Sequence, residues 1–234
     1  MLNKSDYLSY SPYNFSDGID IPLITTELSN IFYYIKNGLS SKHIYQIGQI
    51  RGASTIDCHN KQINIFKAQL PFVYFTGIRA FHFKDYELDY NGNLHVDLDF
   101  KSDISTLGLE LLKEKLSKDP YISLMFISPS GRGLKLIVPT LDYNPENYYL
   151  NLQRFGEYLS GQYSIETKYI DPITYKHVSF ISYDPNCFFN ENVSNFPTQI
   201  NSQREISLSA EEKVQIVKLF DKFKSDKLVF GDIF

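Results

Sequence analysis

Tryptophan is absent from this chain of 234 residues, and cysteine and methionine occur only twice each. The two cysteines, Cys58 and Cys187, lie far apart in the sequence. They form neither a disulfide framework nor a CxxC metal pair. We therefore expect two reduced thiols in a cytoplasmic protein.

Long apolar runs and a surplus of positive charge are also missing. No run is long enough to span a membrane, and the first 20 residues lack the apolar core of a signal peptide. The net charge is −4 and the pI is near 5.7, which argues against strong, independent binding to duplex DNA. This charge balance does not exclude an enzyme whose divalent metals supply the local positive charge.

The composition is otherwise that of a globular protein, with 43% hydrophobic and 21% charged residues. The length suits one large domain with appendages. We expect an N-terminal arm and helices over 1–55, packed on a core over 56–190. A linker and a C-terminal helix follow over 191–234.

The hydrophobic periodicity predicts an α+β fold with one mixed sheet flanked by helices. An extended arm is expected over 1–22 and a polar linker over 186–207. The predicted helices cover 25–37, 40–51, 59–68, 106–118, 145–160 and a segment that begins at a capping box, 209–212. The predicted strands cover 71–77, 91–100, 121–128, 134–139, 165–171 and 177–182, and the pair around 121–139 should be antiparallel.

The most informative residues are Asp97 and Asp99 in the segment HVDLDF. On a strand, positions i and i+2 share a face, so both carboxylates point the same way while Val96, Leu98 and Phe100 face the core. Paired carboxylates repel each other unless a cation or solvent compensates them, and Mg²⁺ and Mn²⁺ prefer oxygen ligands. From spacing alone, a metal site and a solvated strand face both remain open.

A third carboxylate, Asp171, ends the β-like run Tyr169-Ile170-Asp171 just before Pro172. It is a candidate third metal ligand. The alternative is an Asp that initiates a turn ahead of proline.

A glycine-containing turn separates two apolar segments and has the sequence SPSGRGLK over 128–135. Gly131 and Gly133 can turn backbone N–H groups toward phosphate oxygens, and Ser130 adds a hydroxyl. Arg132 and Lys135 are cations suited to a triphosphate. An ordinary hairpin turn is the alternative, and the spacing is not that of a Walker A loop.

Four segments in order carry a resemblance to a known family: VDLDF, FISPSGRGLKLIVP, YID and VSFISYDPN. Together they resemble the primase-like domain at the N-terminus of VirE-type proteins of bacterial mobile elements and phages. That domain is placed in the archaeo-eukaryotic primase (primase-polymerase) superfamily. The resemblance begins at Lys67-Ala-Gln-Leu-Pro71 and covers roughly residues 60–190.

The resemblance implies an RRM-like sheet that bears Asp97, Asp99 and Asp171 as ligands of Mg²⁺ or Mn²⁺. It further implies that Lys135 binds the phosphates of an incoming nucleotide. His177 stands where the family commonly has Arg, and histidine cannot make the bidentate fork of Arg. It is a candidate nucleotide-binding residue or a plain strand histidine. His95 shares the strand face of Asp97 and is either a packed or solvated histidine or a support for the site.

The implied activity is that of a primase or DNA polymerase, a template-dependent nucleotidyltransferase in phage or mobile-element replication. Its partners would be single-stranded DNA, nucleoside triphosphates, and a helicase or single-strand-binding protein. One alternative is a non-catalytic module that binds nucleic acid or a helicase. Another is metal-dependent hydrolysis of a nucleotide or phosphodiester.

Overall fold

A computed structural model describes residues 7–12, 23–56, 61–79, 88–101 and 103–198. Cys58, the end of the predicted linker and the helix expected from residue 209 lie outside these residues. Within them, no helix is both long and apolar enough to cross a membrane.

The described residues form ten strands and five α-helices, so the predicted α+β class is confirmed. The strands are β1 (Tyr7–Ser11), β2 (Ile24–Glu27), β3 (Phe72–Tyr74), β4 (Gly77–Arg79), β5 (Leu88–Tyr90), β6 (Asn93–Asp99), β7 (Leu124–Ile127), β8 (Gly133–Pro139), β9 (Ser179–Phe180) and β10 (Phe188–Phe189). The helices are α1 (Leu28–Asn37), α2 (Ser41–Ile56), α3 (Lys61–Lys67), α4 (Thr106–Leu116) and α5 (Tyr148–Tyr163).

The described strands form three sheets rather than the one mixed sheet that was predicted. A first sheet has the order β2-β1-β3-β9, a second has the order β10-β7-β8-β6, and β4 pairs with β5 alone. Every paired strand is antiparallel to its neighbour. The antiparallel pairing predicted around 121–139 is confirmed by β7 and β8.

Helices α4 and α5 cover one face of the second sheet. Alternate residues of its strands point to this face, as the period of two requires, and form the largest core with both helices. The side chain of Ser105 starts α4 by accepting a hydrogen bond from the Gly108 N–H at 3.1 Å. The strand residues in this core are Leu94, Val96, Leu98, Met125, Ile127, Leu134, Leu136 and Val138.

The opposite face of the second sheet packs against α1 and the first sheet. Leu124, Phe126 and Ile137 lie in one buried cluster with residues of β1, β3 and α1. Helices α2 and α3 pack on each other through a smaller buried cluster: Ile47, Ile50, Ile63 and Leu70. Asp97 and Asp99 lie at the C-terminal end of β6, which is an edge strand of the second sheet.

Two local predictions near the N-terminus differ from the structure because tertiary pairing overrides local pattern. Tyr7–Ser11 is an inner strand paired on both sides, not an extended arm. Ile24–Glu27 pairs with it as a strand, so the helix expected from residue 25 begins at Leu28. The β-branched residues of this segment suit a strand once a partner is present.

Two further predictions near the C-terminal end of the described chain are also wrong. Residues 167–169 form a 3-10 turn rather than a strand, and Ile170 makes a single bridge to Leu98. The predicted linker contains β10, which pairs with β7, and the buried Phe196. Although most residues of this stretch are polar, its few aromatic residues pair or pack with the rest of the chain, and they decide its structure.

Candidate active site

Asp97 and Asp99 project from β6 on the side away from α4 and α5. Val96, Leu98 and Phe100 are buried in the core, so the predicted alternation is confirmed. Both aspartates are partly exposed, and they lie at the end of the strand.

Asp171 lies beside the same end of β6. Its backbone N–H donates to the Asp97 carbonyl oxygen at 2.9 Å, next to the bridge between Ile170 and Leu98. Burial raises the pKa of the Asp171 carboxyl, and the nearby carboxylates of Asp97 and Asp99 raise it further. The structure thus places the three predicted carboxylates beside the same end of β6, close enough for their charges to interact. We call Asp97, Asp99 and Asp171 the carboxylate cluster.

Lys135 is the cationic partner of this cluster. It stands directly opposite Asp97 in the β6–β8 register, and its Nζ donates to Asp97 Oδ2. The two side chains are only 8% and 17% exposed. Burial acts to raise the pKa of Asp97, but the Lys135 ammonium outweighs it and the pKa is lowered. Lys135 by itself therefore does not balance the charge of the three carboxylates.

Gly133 sets the distance between β6 and β8 at the cluster. A Cβ at this position would lie 2.1 Å from the Leu98 carbonyl oxygen, so only glycine fits opposite Asp99. The second predicted glycine, Gly131, has a φ of +73° and needs glycine for its backbone conformation.

The polar groups of the glycine turn are mostly engaged within the protein. The Gly131 N–H donates to the Ser128 carbonyl at 2.9 Å, and the hydroxyls of Ser128 and Ser130 are 3.1 Å apart. Arg132 donates to Ser54 at the end of α2 and to the Lys101 carbonyl at 3.2 Å. Arg132 therefore joins the turn to α2, and its role in binding phosphate stays a prediction.

The two histidines differ in their surroundings. His95 is fully buried, packs against Phe75 with ring centroids 5.5 Å apart, and has no hydrogen-bond partner on either ring nitrogen among the described residues. Burial, followed by the Lys135 ammonium, lowers its pKa well below the usual value. His95 is therefore a packed histidine and not a solvated one. His177 has its ring centroid 6.1 Å from that of His95, and it lies just before β9 rather than within a strand.

Lys67, in the last turn of α3, belongs to the site but was not among the predicted site residues. Burial and the Lys135 ammonium lower the pKa of Lys67, while the three carboxylates of the cluster act to raise it. A second cation therefore lies near enough to the carboxylate cluster for their charges to interact. The sequence offered one signal, since the segment that carries the family resemblance begins at Lys67.

The donor chemistry of the cluster fits a hard divalent cation. Three carboxylates supply oxygen ligands, and the pKa of Asp171 is raised first by burial and then by the negative charge of Asp97 and Asp99. In the part of the chain that the structure describes, no three His, Cys, Asp or Glu side chains are already gathered as a metal site. A cation would have to draw the carboxylates together and compete with Lys135 for Asp97.

Comparison with known proteins gives one result at the level of the family. The family described as "BT4734-like, N-terminal domain" matches residues 65–189, just over half of the chain. No curated protein and no solved structure matches. The match includes Lys67, the carboxylate cluster, the glycine turn and His177. The chain therefore belongs to the BT4734-like N-terminal domain family.

Proposed function

We propose that this chain is a nucleotidyltransferase of the primase-polymerase type, which joins nucleotides on a single-stranded DNA template. The observation that carries the proposal is the meeting of Asp97, Asp99 and Asp171 at one end of β6, with Lys135 opposite. Phosphoryl transfer needs this combination, since carboxylates hold Mg²⁺ or Mn²⁺ and a cation binds the phosphates.

The carboxylate cluster would hold the divalent metal. When bound, Mg²⁺ or Mn²⁺ lowers the pKa of an attacking hydroxyl and stabilises charge on the reacting phosphate. The residues of the chain fix where this happens. Gly133 keeps β8 close to β6, and the Asp171 N–H bond to Asp97 keeps the third carboxylate beside the other two.

Lys135 and Lys67 would bind the nucleotide phosphates. Lys135 is paired with Asp97 here, and a metal on that carboxylate would release the ammonium toward the phosphates. His177, near His95, would be a third contact. Its pKa is lowered by burial and by Lys135, so at neutral pH it would contribute a hydrogen bond rather than a charge.

The element order supports the primase-like reading. When β9, which belongs to the first sheet, is left out, the order from β6 to β10 is strand, helix, two strands, helix, strand, with both helices on one face of a four-stranded sheet. This is the element order of ferredoxin-like and RRM-like folds. The likeness concerns the order of the elements along the chain. Within the sheet, the strands of this chain lie in the order β10-β7-β8-β6.

The test is a synthesis assay with pure protein, single-stranded DNA, labelled nucleotides and Mn²⁺ or Mg²⁺. Extended products with the wild type, and none with Asp97→Ala/Asp99→Ala, are expected. An unchanged melting temperature would show that the variant is folded. Synthesis that persists in the folded double variant would refute the assignment.

A non-catalytic binding module is the second candidate, because Lys135 already neutralises Asp97 and His177 replaces an expected Arg. It predicts binding of single-stranded DNA with no product at any nucleotide or metal concentration. Hydrolysis is separated from both by its products, since a hydrolase releases phosphate or nucleotide without chain extension.

A further inference from the structure

Residues 28–84 have a charge balance opposite to that of the whole chain. They contain seven Lys or Arg and one acidic residue, Asp57, whereas the net charge of the chain is −4. Helices α1, α2 and α3 contain no Asp or Glu. An acidic protein can therefore present a local positive surface, which is what attracts a phosphate backbone.

The exposed side of α2 combines a cation with an aromatic ring. Lys42, Tyr45 and Gln49 point to solvent, and Tyr45 is 67% exposed. The Gln49 Nε2 donates to the Tyr45 hydroxyl at 3.0 Å, which holds the ring one helical turn away. Helix α3 adds exposed Lys61 and Ile65. Single-stranded nucleic acids bind to aromatic side chains placed among cations.

Two glycines leave the backbone of α2 uncovered on this side. Gly48 and Gly52 are exposed, and a Cβ at either position would meet no atom within 4 Å. Packing within the chain therefore does not require glycine here, although glycine weakens a helix relative to alanine. An open backbone lets a polymer lie closer to the helix than a side chain would permit.

The helices that carry this surface end near the candidate active site. Near the C-terminal end of α2, Arg51 lies 3.3 Å from where a Gly131 Cβ would be, and Ser54 accepts from Arg132. Helix α3 ends at Lys67, which interacts with the carboxylate cluster. From Lys42 to Gly52 the helix rises about 15 Å.

We propose that this basic helical face, formed by Lys42, Tyr45, Gly48, Gln49, Gly52, Lys61 and Ile65, binds single-stranded DNA and directs it to the carboxylate cluster. Lys42 and Lys61 contact phosphates, and the Tyr45 ring stacks on a base. That the strand serves as a template rests on the proposed function, whereas binding does not require synthesis.

The test is fluorescence anisotropy of labelled oligo(dT) with the full chain, in EDTA and without nucleotides. Lys42→Gln/Tyr45→Ala/Lys61→Gln should weaken binding about tenfold or more, since one stacked base alone contributes on this scale. The slope of the logarithm of the binding constant against the logarithm of the salt concentration should become shallower by about 1.4, because two phosphate contacts are lost. The matched control is Lys115→Gln/Lys118→Gln/Tyr149→Ala, with exposed residues of the same types on and beside α4 and α5, and it should bind within about twofold of wild type.

A second pair of variants separates binding from folding. Gly48→Ala/Gly52→Ala should raise the melting temperature while weakening binding several-fold, because a better helix then covers its own backbone. Gly161→Ala on α5, where a Cβ also meets no atom within 4 Å, should raise the melting temperature and leave binding unchanged. If these glycines had only a structural role, the substitutions would not raise the melting temperature and weaken DNA binding at the same time.

Failure of this inference can be distinguished from failure of the proposed function. Wild-type protein that does not bind oligo(dT), or a folded triple variant that binds like wild type, overturns the basic helical face as a binding site. Binding lost in the triple variant but kept in Asp97→Ala/Asp99→Ala supports it, even if no synthesis is ever detected. Synthesis by a triple variant with undiminished binding would leave the proposed function intact and refute this inference.

Discussion

Two buried Lys–Asp pairs in this molecule differ in how completely their charges are compensated. Asp184 accepts from Lys113 Nζ with both oxygens, at 3.0 and 2.9 Å, and also from the backbone N–H groups of Ile127 and Asn186. Both side chains of this pair are at most 6% exposed. Every acceptor position is occupied by a nearby donor, as a buried carboxylate requires.

The Lys135–Asp97 pair is compensated far less completely. Among the described residues, the Asp97 carboxylate accepts only from Lys135, and Asp99 and Asp171 add like charge beside it. The comparison separates an ion pair whose carboxylate is fully hydrogen-bonded from one whose carboxylate accepts from a single side chain. The saturated pair joins α4 to the chain after β9, whereas the unsaturated pair leaves oxygen ligands available to a cation.

The largest expected effect on stability comes from breaking the saturated pair. Asp184→Asn should cost about 3–5 kcal/mol of unfolding free energy, because it leaves the Lys113 ammonium buried without its main partner. Urea denaturation measures this loss. Asp97→Asn is the matched variant and should cost much less, since Lys135 keeps Asp99 and Asp171 nearby. Equal losses at the two sites would contradict the distinction between them.

A smaller effect is expected from adding metal. Mn²⁺ at about 100 times its dissociation constant should stabilise the wild type by about 2.7 kcal/mol, which corresponds to several degrees in melting temperature. The gain should vanish in Asp97→Asn/Asp99→Asn and persist in a folded variant such as Lys118→Gln. A wild type that does not respond to Mn²⁺ or Mg²⁺ would argue that the cluster is not a metal site.

The smallest expected effect is a change in pH dependence. Because the folded-state pKa of Asp171 is raised, the wild type loses stability as pH rises from about 4, the ordinary value, through the raised pKa. Asp171→Asn removes that loss, so it should stabilise the protein at neutral pH and have little effect near pH 4. Melting temperatures across this pH range measure the difference.

Asp142 provides a control of opposite sign for this experiment. Burial acts to raise its pKa, but hydrogen bonds from Asn151, Asn144 and Asn147 outweigh it and the pKa is lowered. The stabilisation that the Asp142 carboxylate contributes is therefore present above the ordinary pKa of an aspartate, and it is lost as pH falls through the lowered pKa. Asp142→Asn should destabilise the protein at neutral pH, and a gain there would show that the signs have been misassigned.

Long elements were predictable from the sequence. The helices near 40–51 and 106–118 and the strands that hold Asp97 and Lys135 lie where the pattern placed them, within a few residues. Short strands were not predictable, because β9 and β10 have two residues each and exist only through their partners. The same reason explains why Tyr7–Ser11 appeared to be an arm.

The candidate site was predictable in part. Period-two alternation placed Asp97 and Asp99 on one face, and the family resemblance supplied Asp171 and Lys135. Lys67 was missed because a single lysine at a helix end carries no local signal of proximity to residues 30 positions away. Arg132 looked available in sequence, and only the packing of α2 showed that it binds Ser54.

The sequence by itself determined the α+β class and the shared face of Asp97 and Asp99. The shared face follows from local geometry, since side-chain alternation depends on neighbouring residues alone. Only the tertiary structure decided that Asp171 joins the cluster, that Lys135 neutralises Asp97, and that Lys67 and α2 border the site. Those relations depend on contacts between distant segments, which burial of the two cores brings together.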